Sequence, residues 1–260
     1  MALQLVQWSE VTGRYGVHDL VRDFGRGKLG EEREDGLTEM ALGWYVAMAD
    51  QMDGCVQSNI RIEWARTIAV DSEQSVEEID AALLAIGLSW FEVEWFNILE
   101  GIKWAKLTER AEPAVQLFAC GQVFSSLQGK RTKIFLKAGE EALAVAKKVG
   151  DRLGEANTLR AIGDVLQFLK QSQDALNRYE TAIEIYRQVG DRLGEANTLT
   201  AIGYLSANSG RPLEGSRFLE QSLEIYQSIG DRWSQATALP NLAVAYQQSG
   251  KVQESWKADY

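Results

Sequence analysis

The sequence predicts an all-α solenoid, an elongated stack of repeated helix pairs. Residues 150–159 read GDRLGEANTL, and residues 190–199 repeat them letter for letter. Residues 230–239 carry a weaker copy, GDRWSQATAL, so both intervals are 40 residues. A fixed repeat period between 20 and 50 residues is typical of solenoids. Apolar residues recur three and four positions apart after each copy, which is the pattern of amphipathic helices.

The repeated sequence also predicts where helices end and begin. Each copy opens with a glycine, the residue that most easily adopts the left-handed conformation found after a helix end. The aspartate that follows each glycine is a preferred N-cap for the next helix. We therefore expect helices to end at Gly150, Gly190 and Gly230, each followed at once by the start of another helix.

Small residues are expected where the two helices of one repeat come closest. Gly163 and Gly203 belong to first helices, and in both repeats small residues follow 12 and 19 positions later. Those four residues are Ala175, Ala182, Gly215 and Ser222. A bulky residue in place of Ala182 should therefore destabilise the repeat.

This pattern resembles the tetratricopeptide repeat (TPR), in a form longer than the usual 34 residues. The resemblance implies a right-handed α-α superhelix whose first helices line a concave protein-binding face. We expect four units at 107–149, 150–189, 190–229 and 230–260, the last of them truncated. The first unit is degenerate, with its extra residues in a loop near 129–132. Pro240 should bend the first helix of the last unit or mark a late start of that helix.

Residues 1–30 do not fit the repeat. Tyr15 and Val17 alternate as in a short strand, and the residues after them fit a helical face. Residues 14–24 resemble the wing and closing helix of the winged-helix domain in NB-ARC-type, or STAND, signalling ATPases. Residues 31–106 then form a predicted helical linker, in which 90–105 resembles the helix that opens the sensor array of such proteins.

The second resemblance implies a nucleotide role for two residues. Val17, His18 and Asp19 match a family triplet whose histidine contacts the β-phosphate of ADP. The family's phosphate-binding loop does not occur in these 260 residues. His18 and Asp19 would therefore bind a cofactor only beside an upstream nucleotide-binding domain, and we expect no cofactor for the chain by itself.

Composition excludes several function classes. The net charge is −10 and the isoelectric point about 4.8, which disfavours nucleic acid, whose binding depends on Lys and Arg. Cys55 and Cys120 have no metal or redox spacing, which favours a reducing compartment. The longest apolar stretch, 81–91, is too short to cross a bilayer, and the N-terminus lacks a secretory signal. We expect a cytoplasmic protein with no membrane segment.

No catalytic or metal site is predicted. The single histidine, His18, leaves no serine with a partner for acyl transfer. The G-x-G-x-x-G match at 25–30 follows a predicted helix, where a dinucleotide fingerprint needs a strand, and the acidic cluster after it would repel a pyrophosphate. The sequence at 129–132 lacks the first glycine of a phosphate-binding loop.

The TPR resemblance implies a candidate peptide groove on the first helices. Asparagines there could hold a peptide backbone, because their amides both donate and accept hydrogen bonds; alternatively they are simply exposed polar residues. The candidate residues are Asn157, Arg160, Asp164, Gln167, Phe168, Asn197, Thr200, Tyr204 and Asn208, with Thr237, Val244 and Gln248 in the last unit.

The expected function is a non-catalytic protein–protein interaction module, the sensor or scaffold segment of a STAND-type signalling system. Its expected partners are a protein or peptide in the groove and an upstream nucleotide-binding domain. Two alternatives stay open. One is a free-standing TPR adaptor or co-chaperone-like scaffold, and the other is a DNA-binding winged-helix regulator.

Overall fold

The protein is a stack of antiparallel helix pairs in the computed structural model. The structure describes residues 8–9, 14–15, 43, 46–55, 65–67, 75–127 and 131–250. The long helices are α1 (Val76–Leu107), α2 (Ala111–Leu127), α3 (Thr132–Val149), α4 (Arg152–Phe168), α5 (Ser172–Val189), α6 (Arg192–Asn208), α7 (Pro212–Ile229) and α8 (Arg232–Gln248). The all-α solenoid predicted from the sequence is confirmed in these residues.

Two short strands precede the helices. β1 (Trp8–Ser9) pairs antiparallel with β2 (Arg14–Tyr15), and Trp8 lies opposite Tyr15. Residues 16–42, which hold most of the predicted winged-helix remnant and the start of the linker, lie outside the described residues. Residues 46–55 and 65–67 of the predicted linker are helical.

The predicted helix ends are confirmed. Gly150, Gly190 and Gly230 are left-handed, with φ of 76°, 79° and 75°. The side chain of Asp151 accepts a hydrogen bond from the Gly154 N–H at 2.8 Å, and Asp191 and Asp231 cap α6 and α8 in the same way. Each glycine and aspartate therefore ends one repeat and starts the next.

Pro240 neither delays nor interrupts the last described helix. α8 begins at Arg232 and includes Pro240 within its length, so the predicted late start is wrong. The helix start is set eight residues earlier, where the Asp231 side chain accepts from the Ser234 N–H. The truncated second helix of this unit, predicted at 251–260, lies outside the described residues.

Helix α1 is longer than the sequence analysis recognised. Ser75 and Glu78 form a capping box at its start, and the helix then runs for 32 residues. It includes an 18-residue window of mean hydropathy 1.3, so by length and composition it could cross a membrane. This corrects the inference drawn from residues 81–91 alone.

The second half of α1 nevertheless packs as a core helix. Phe91 stacks on Phe124 of α2 with ring centroids 5.2 Å apart, and Trp95 lies 5.2 Å from Phe135 of α3. Phe118 stacks on Phe135 at 4.6 Å. Core helices of soluble proteins can be as long and as apolar as α1, so its length and hydropathy are only weak evidence for a membrane span.

The helices form two layers. The first helices of the units are α2, α4, α6 and α8. Among them, α2 contacts α4, α4 contacts α6, and α6 contacts α8. The second helices are farther apart, since α3 hardly touches α5 and α5 hardly touches α7. A stack whose first helices are close and whose second helices are spread must curve toward the first helices. We call the solvent-facing side of α4, α6 and α8 the inner face.

Small residues allow close packing between the layers, as predicted. A Cβ at Gly163 would lie 2.4 Å from the Tyr179 ring, and a Cβ at Gly215 would lie 2.6 Å from the Gly203 carbonyl oxygen. Ala175, Ala182 and Ser222 are fully buried. In the first unit the small residue is instead Gly139 on the second helix, where a Cβ would meet the Phe118 ring at 2.4 Å.

Candidate functional site

The structure places the predicted groove residues on three first helices. Five lie on α4, four on α6 and three on α8. The members on α6 recur at intervals of three and four residues, as do those on α4 except for the adjacent pair Gln167 and Phe168, so they lie toward one side of each helix.

Both repeated asparagines are bonded to buried tyrosines. The Tyr186 hydroxyl of α5 donates to Asn157 Oδ1 at 2.7 Å, and the Tyr226 hydroxyl of α7 donates to Asn197 Oδ1 at 2.7 Å. The Thr200 hydroxyl lies 3.2 Å from the Tyr226 hydroxyl. The same residue recurs at 157 and 197 because each asparagine oxygen accepts the same tyrosine hydrogen bond. The NH₂ group of each amide is the part that a ligand could use.

Asp164 is the centre of a second polar cluster. Its carboxylate accepts from Arg160 at 3.0 Å and from Gln122 of α2 at 2.7 Å. The Tyr179 hydroxyl donates to its other oxygen at 2.6 Å and lies 3.2 Å from Gln167 Oε1. The structure thus brings Arg160, Asp164 and Gln167 together, and the acceptors of Asp164 are occupied by protein donors.

The tyrosines beneath the inner face are held in their neutral form. Burial raises the pKa of Tyr186 to about 12, and it also raises the pKa values of Tyr179 and Tyr226. Burial alone would lower the pKa of Arg160, but Asp164 and the two nearest tyrosines raise it overall. Arg160 and Asp164 therefore form an ion pair among neutral groups.

Each of α4, α6 and α8 exposes a large apolar side chain in its first turn, which is Leu153, Leu193 or Trp233, and another near its C-terminal end. Phe168, Tyr204 and Val244 are 49%, 46% and 47% exposed. Tyr204 and Val244 occupy the position of Asp164 in their repeats, and Phe168 lies one helical turn beyond Asp164. Asn208 and Gln248, both exposed, occupy the Phe168 position in the next two repeats. We call Phe168, Tyr204 and Val244 the apolar row.

Four residues that support the site were not predicted from the sequence. Gln122, Tyr179, Tyr186 and Tyr226 were not recognised, although Tyr186 and Tyr226 recur at the 40-residue interval. Each follows its asparagine by 29 residues, so a search for pairs that repeat together would have found both. Gln122 gave no such signal, because it lies in the degenerate first unit.

Neither a metal-binding cluster nor an exposed thiol occurs in the part of the chain that the structure describes. The described residues contain no group of three or more His, Cys, Asp or Glu side chains placed to hold a metal ion. Cys55 and Cys120 are buried thiols. Burial raises the pKa of Cys120 to about 12, which disfavours the reactive thiolate form. His18 and Asp19 lie outside the described residues.

Comparison with known families finds a match over three of the helices. Residues 136–188, which span most of α3, all of α4 and most of α5, match the tetratricopeptide repeat family. Tetratricopeptide repeats are in general non-catalytic modules that bind other proteins. No curated protein sequence matches the chain.

Solved structures share the fold. BtubC (BKLC) from P. vanneervenii is 16% identical with a TM-score of 0.55, and the match covers 84% of this chain and 88% of that one. A Rap protein complexed with competence and sporulation factor is 16% identical with a TM-score of 0.52, over 94% and 69% of the two chains. At these identities the likeness concerns the fold alone.

A third solved structure belongs to the STAND class, which residues 14–24 and 90–105 resemble. It is a Signal Transduction ATPase with Numerous Domains (STAND) protein with a tetratricopeptide repeat sensor from Pyrococcus horikoshii. It is 16% identical, and the match covers 76% of this chain and 34% of that protein. Its TM-score of 0.49 is too low to support an argument from it.

Proposed function

We propose that this protein is a non-catalytic interaction module that binds a segment of a protein partner across its inner face. The observation that carries the proposal is the apolar row: Phe168, Tyr204 and Val244 are exposed near the C-terminal ends of three successive first helices, at equal or neighbouring turns of the repeat. Exposed apolar side chains gathered on a polar surface mark interaction sites more often than isolated ones do.

The polar groups around the apolar row support a binding role. Asn208 and Gln248 are exposed beside it, and the NH₂ groups of Asn157 and Asn197 remain after their oxygens have bonded the tyrosines. These amides can bond a peptide backbone without a charge. Because the tyrosine and aspartate bonds fix the side chains beneath, the face is ordered before a partner arrives, which lowers the entropic cost of binding.

A finer proposal concerns the larger signalling system in which the chain acts. We propose a cytoplasmic sensor or scaffold segment of a STAND-type signalling system, in which partner binding to the repeats is passed to an upstream nucleotide-binding domain. The resemblance of residues 14–24 and 90–105 supports it, and the antiparallel pairing of β1 with β2 suits a wing hairpin. By this proposal the chain alone binds no nucleotide, and equilibrium dialysis that detects ADP bound to the purified chain would contradict it.

The binding site is tested with peptides selected from a random phage-displayed library against the whole chain. Tyr204→Ala removes an exposed ring and should leave the fold intact, as circular dichroism and the melting temperature can verify. We expect it to weaken binding of the selected peptides by roughly tenfold or more, as loss of a central aromatic contact does.

Leu213→Ala is the matched control. Leu213 is 52% exposed, but it lies at the start of α7 in the second layer. Its replacement should leave peptide affinity unchanged. Equal affinities for the wild type and Tyr204→Ala, or loss of binding in Leu213→Ala alone, would place the site elsewhere.

A further inference from the structure

The charged groups among the predicted groove residues are few and are paired with each other. Among the predicted groove residues of α4, α6 and α8, only Arg160 and Asp164 are charged, and they bond each other at 3.0 Å. Asp164 also accepts from Gln122 and Tyr179. Arg160 and Asp164 therefore neutralise each other, and these positions carry no net charge that would favour an acidic or a basic partner.

The face differs in this respect from the molecule as a whole. The chain has 37 acidic and 27 basic residues, yet the remaining groove positions carry amides, hydroxyls and the apolar row. An acidic peptide would be repelled by the net negative charge and would find no unpaired cation at these positions. A basic peptide would be attracted at long range but would find no unpaired carboxylate there.

From this arrangement, and resting on the proposed function above, we infer that the partner segment is an uncharged peptide with aromatic or aliphatic side chains. Its apolar side chains contact Phe168, Tyr204 and Val244. Its main chain is bonded by Asn208, Gln248 and the NH₂ groups of Asn157 and Asn197. The buried contact is apolar, so its strength comes from surface removed from water and not from ion pairing.

Salt provides the first test. Screening weakens attraction between exposed charges but has little effect on apolar contact. The tightest peptide that depends on Tyr204, taken from an unrestricted library, should bind the whole chain with nearly the same dissociation constant at low and high salt. A loss of roughly tenfold or more on raising the salt would overturn the inference of an uncharged ligand.

Restricted libraries provide the second test. Three phage-displayed libraries of short peptides are compared: one uncharged, one with Asp and Glu at half its positions and one with Lys and Arg there. The uncharged library should yield the tightest peptides whose binding is lost in Tyr204→Ala and kept in Leu213→Ala.

The outcomes separate the inference from the proposed function. If the acidic or basic library yields the tightest Tyr204-dependent peptides, the inner face remains a binding site but the inference about its ligand is wrong. If none of the libraries yields a Tyr204-dependent peptide, both the inference and the proposed function fail.

Discussion

Two buried glutamates join neighbouring repeats. Glu195, at the start of α6, has a side chain only 4% exposed and accepts from Arg187 of α5 at 2.7 Å and from Arg192. Glu155 occupies the same place at the previous junction, with Arg152 and with Lys147 at 3.9 Å. At the third junction the positions of Arg187 and Glu195 are taken by Gln227 and Gln235, so both charges are absent together.

Because both charges are replaced together at the third junction, we predict that Arg187 and Glu195 contribute to stability in an interdependent way. Arg187→Gln leaves a buried carboxylate with one cation fewer and should lower the free energy of unfolding by about 1–2 kcal/mol. The double variant Arg187→Gln/Glu195→Gln reproduces the third junction. It should lose less stability than the two single variants added together, with a coupling of about 0.5–3 kcal/mol. Urea unfolding of the three variants measures it, and strictly additive losses would contradict the account.

The buried tyrosines predict a loss of stability in alkali. The pKa of Tyr186 is raised to about 12 in the folded protein, against about 10 in an unfolded chain. Between these values the unfolded chain gives up a proton that the folded protein keeps, so the free energy of unfolding falls as pH rises. Below about pH 10 the contribution is fully present.

Tyr186→Phe isolates this contribution. The variant loses the bond to Asn157 at neutral pH, and its stability should then fall less steeply between about pH 10 and 12. Urea midpoints measured across that range compare the two slopes. Arg160, Asp191 and Asp164 also act on the pKa of Tyr186, but they are present in both proteins. Parallel curves would show that Tyr186 does not carry the effect.

The sequence pointed to candidate groove residues but not to the bonds that their side chains make. Asn157 could be identified because it recurs, but its tyrosine partner lies on another helix. Asp164 looked like a possible ligand group, yet its donors Gln122 and Tyr179 are 42 and 15 residues away. Only the packed structure shows that its charge is neutralised.

Among the helices, the tightest packing lies between α6 and α7. A Cβ at Gly215 would be 2.6 Å from the Gly203 carbonyl oxygen and 2.8 Å from the Ala207 backbone nitrogen. Backbone atoms cannot rotate aside as a flexible side chain can. Gly215→Ala should therefore force the two helices apart and lower the free energy of unfolding by roughly 1–3 kcal/mol.

Gly43→Ala is the matched control, because Gly43 is helical and exposed and a Cβ there would meet nothing within 4 Å. It should be neutral or slightly stabilising, since alanine is the better helix former by up to about 1 kcal/mol. Thermal unfolding of both variants measures the difference. A Gly215→Ala protein as stable as the wild type would show that the helices are not in this register.

Helix boundaries were predictable because their causes are local. The glycine and aspartate at each junction act on adjacent residues, so the sequence placed the ends of α3, α5 and α7 correctly. For α8 the sequence carried two conflicting signals, the Asp231 cap and Pro240, and the structure follows the cap. The extent of α1 was missed because its apolar centre was read without the capping box at Ser75.

The whole molecule owes its shape to unequal contacts in its two layers. The first helices touch their neighbours and the second helices spread, which turns the inner face inward. The 40-residue period was enough to predict a stack of this kind. The net charge of −10 did not predict how charge is distributed over the stack. The groove positions are neutral because the fold pairs Arg160 with Asp164.

The central claim is that a partner segment binds across α4, α6 and α8, and a crystal structure of the whole chain with the tightest selected peptide tests it most directly. The account predicts peptide density on the inner face, with apolar side chains against Phe168, Tyr204 and Val244 and the Arg160–Asp164 pair intact. Density against the second helices, or a peptide carboxylate or ammonium group that displaces either member of that pair, would contradict it.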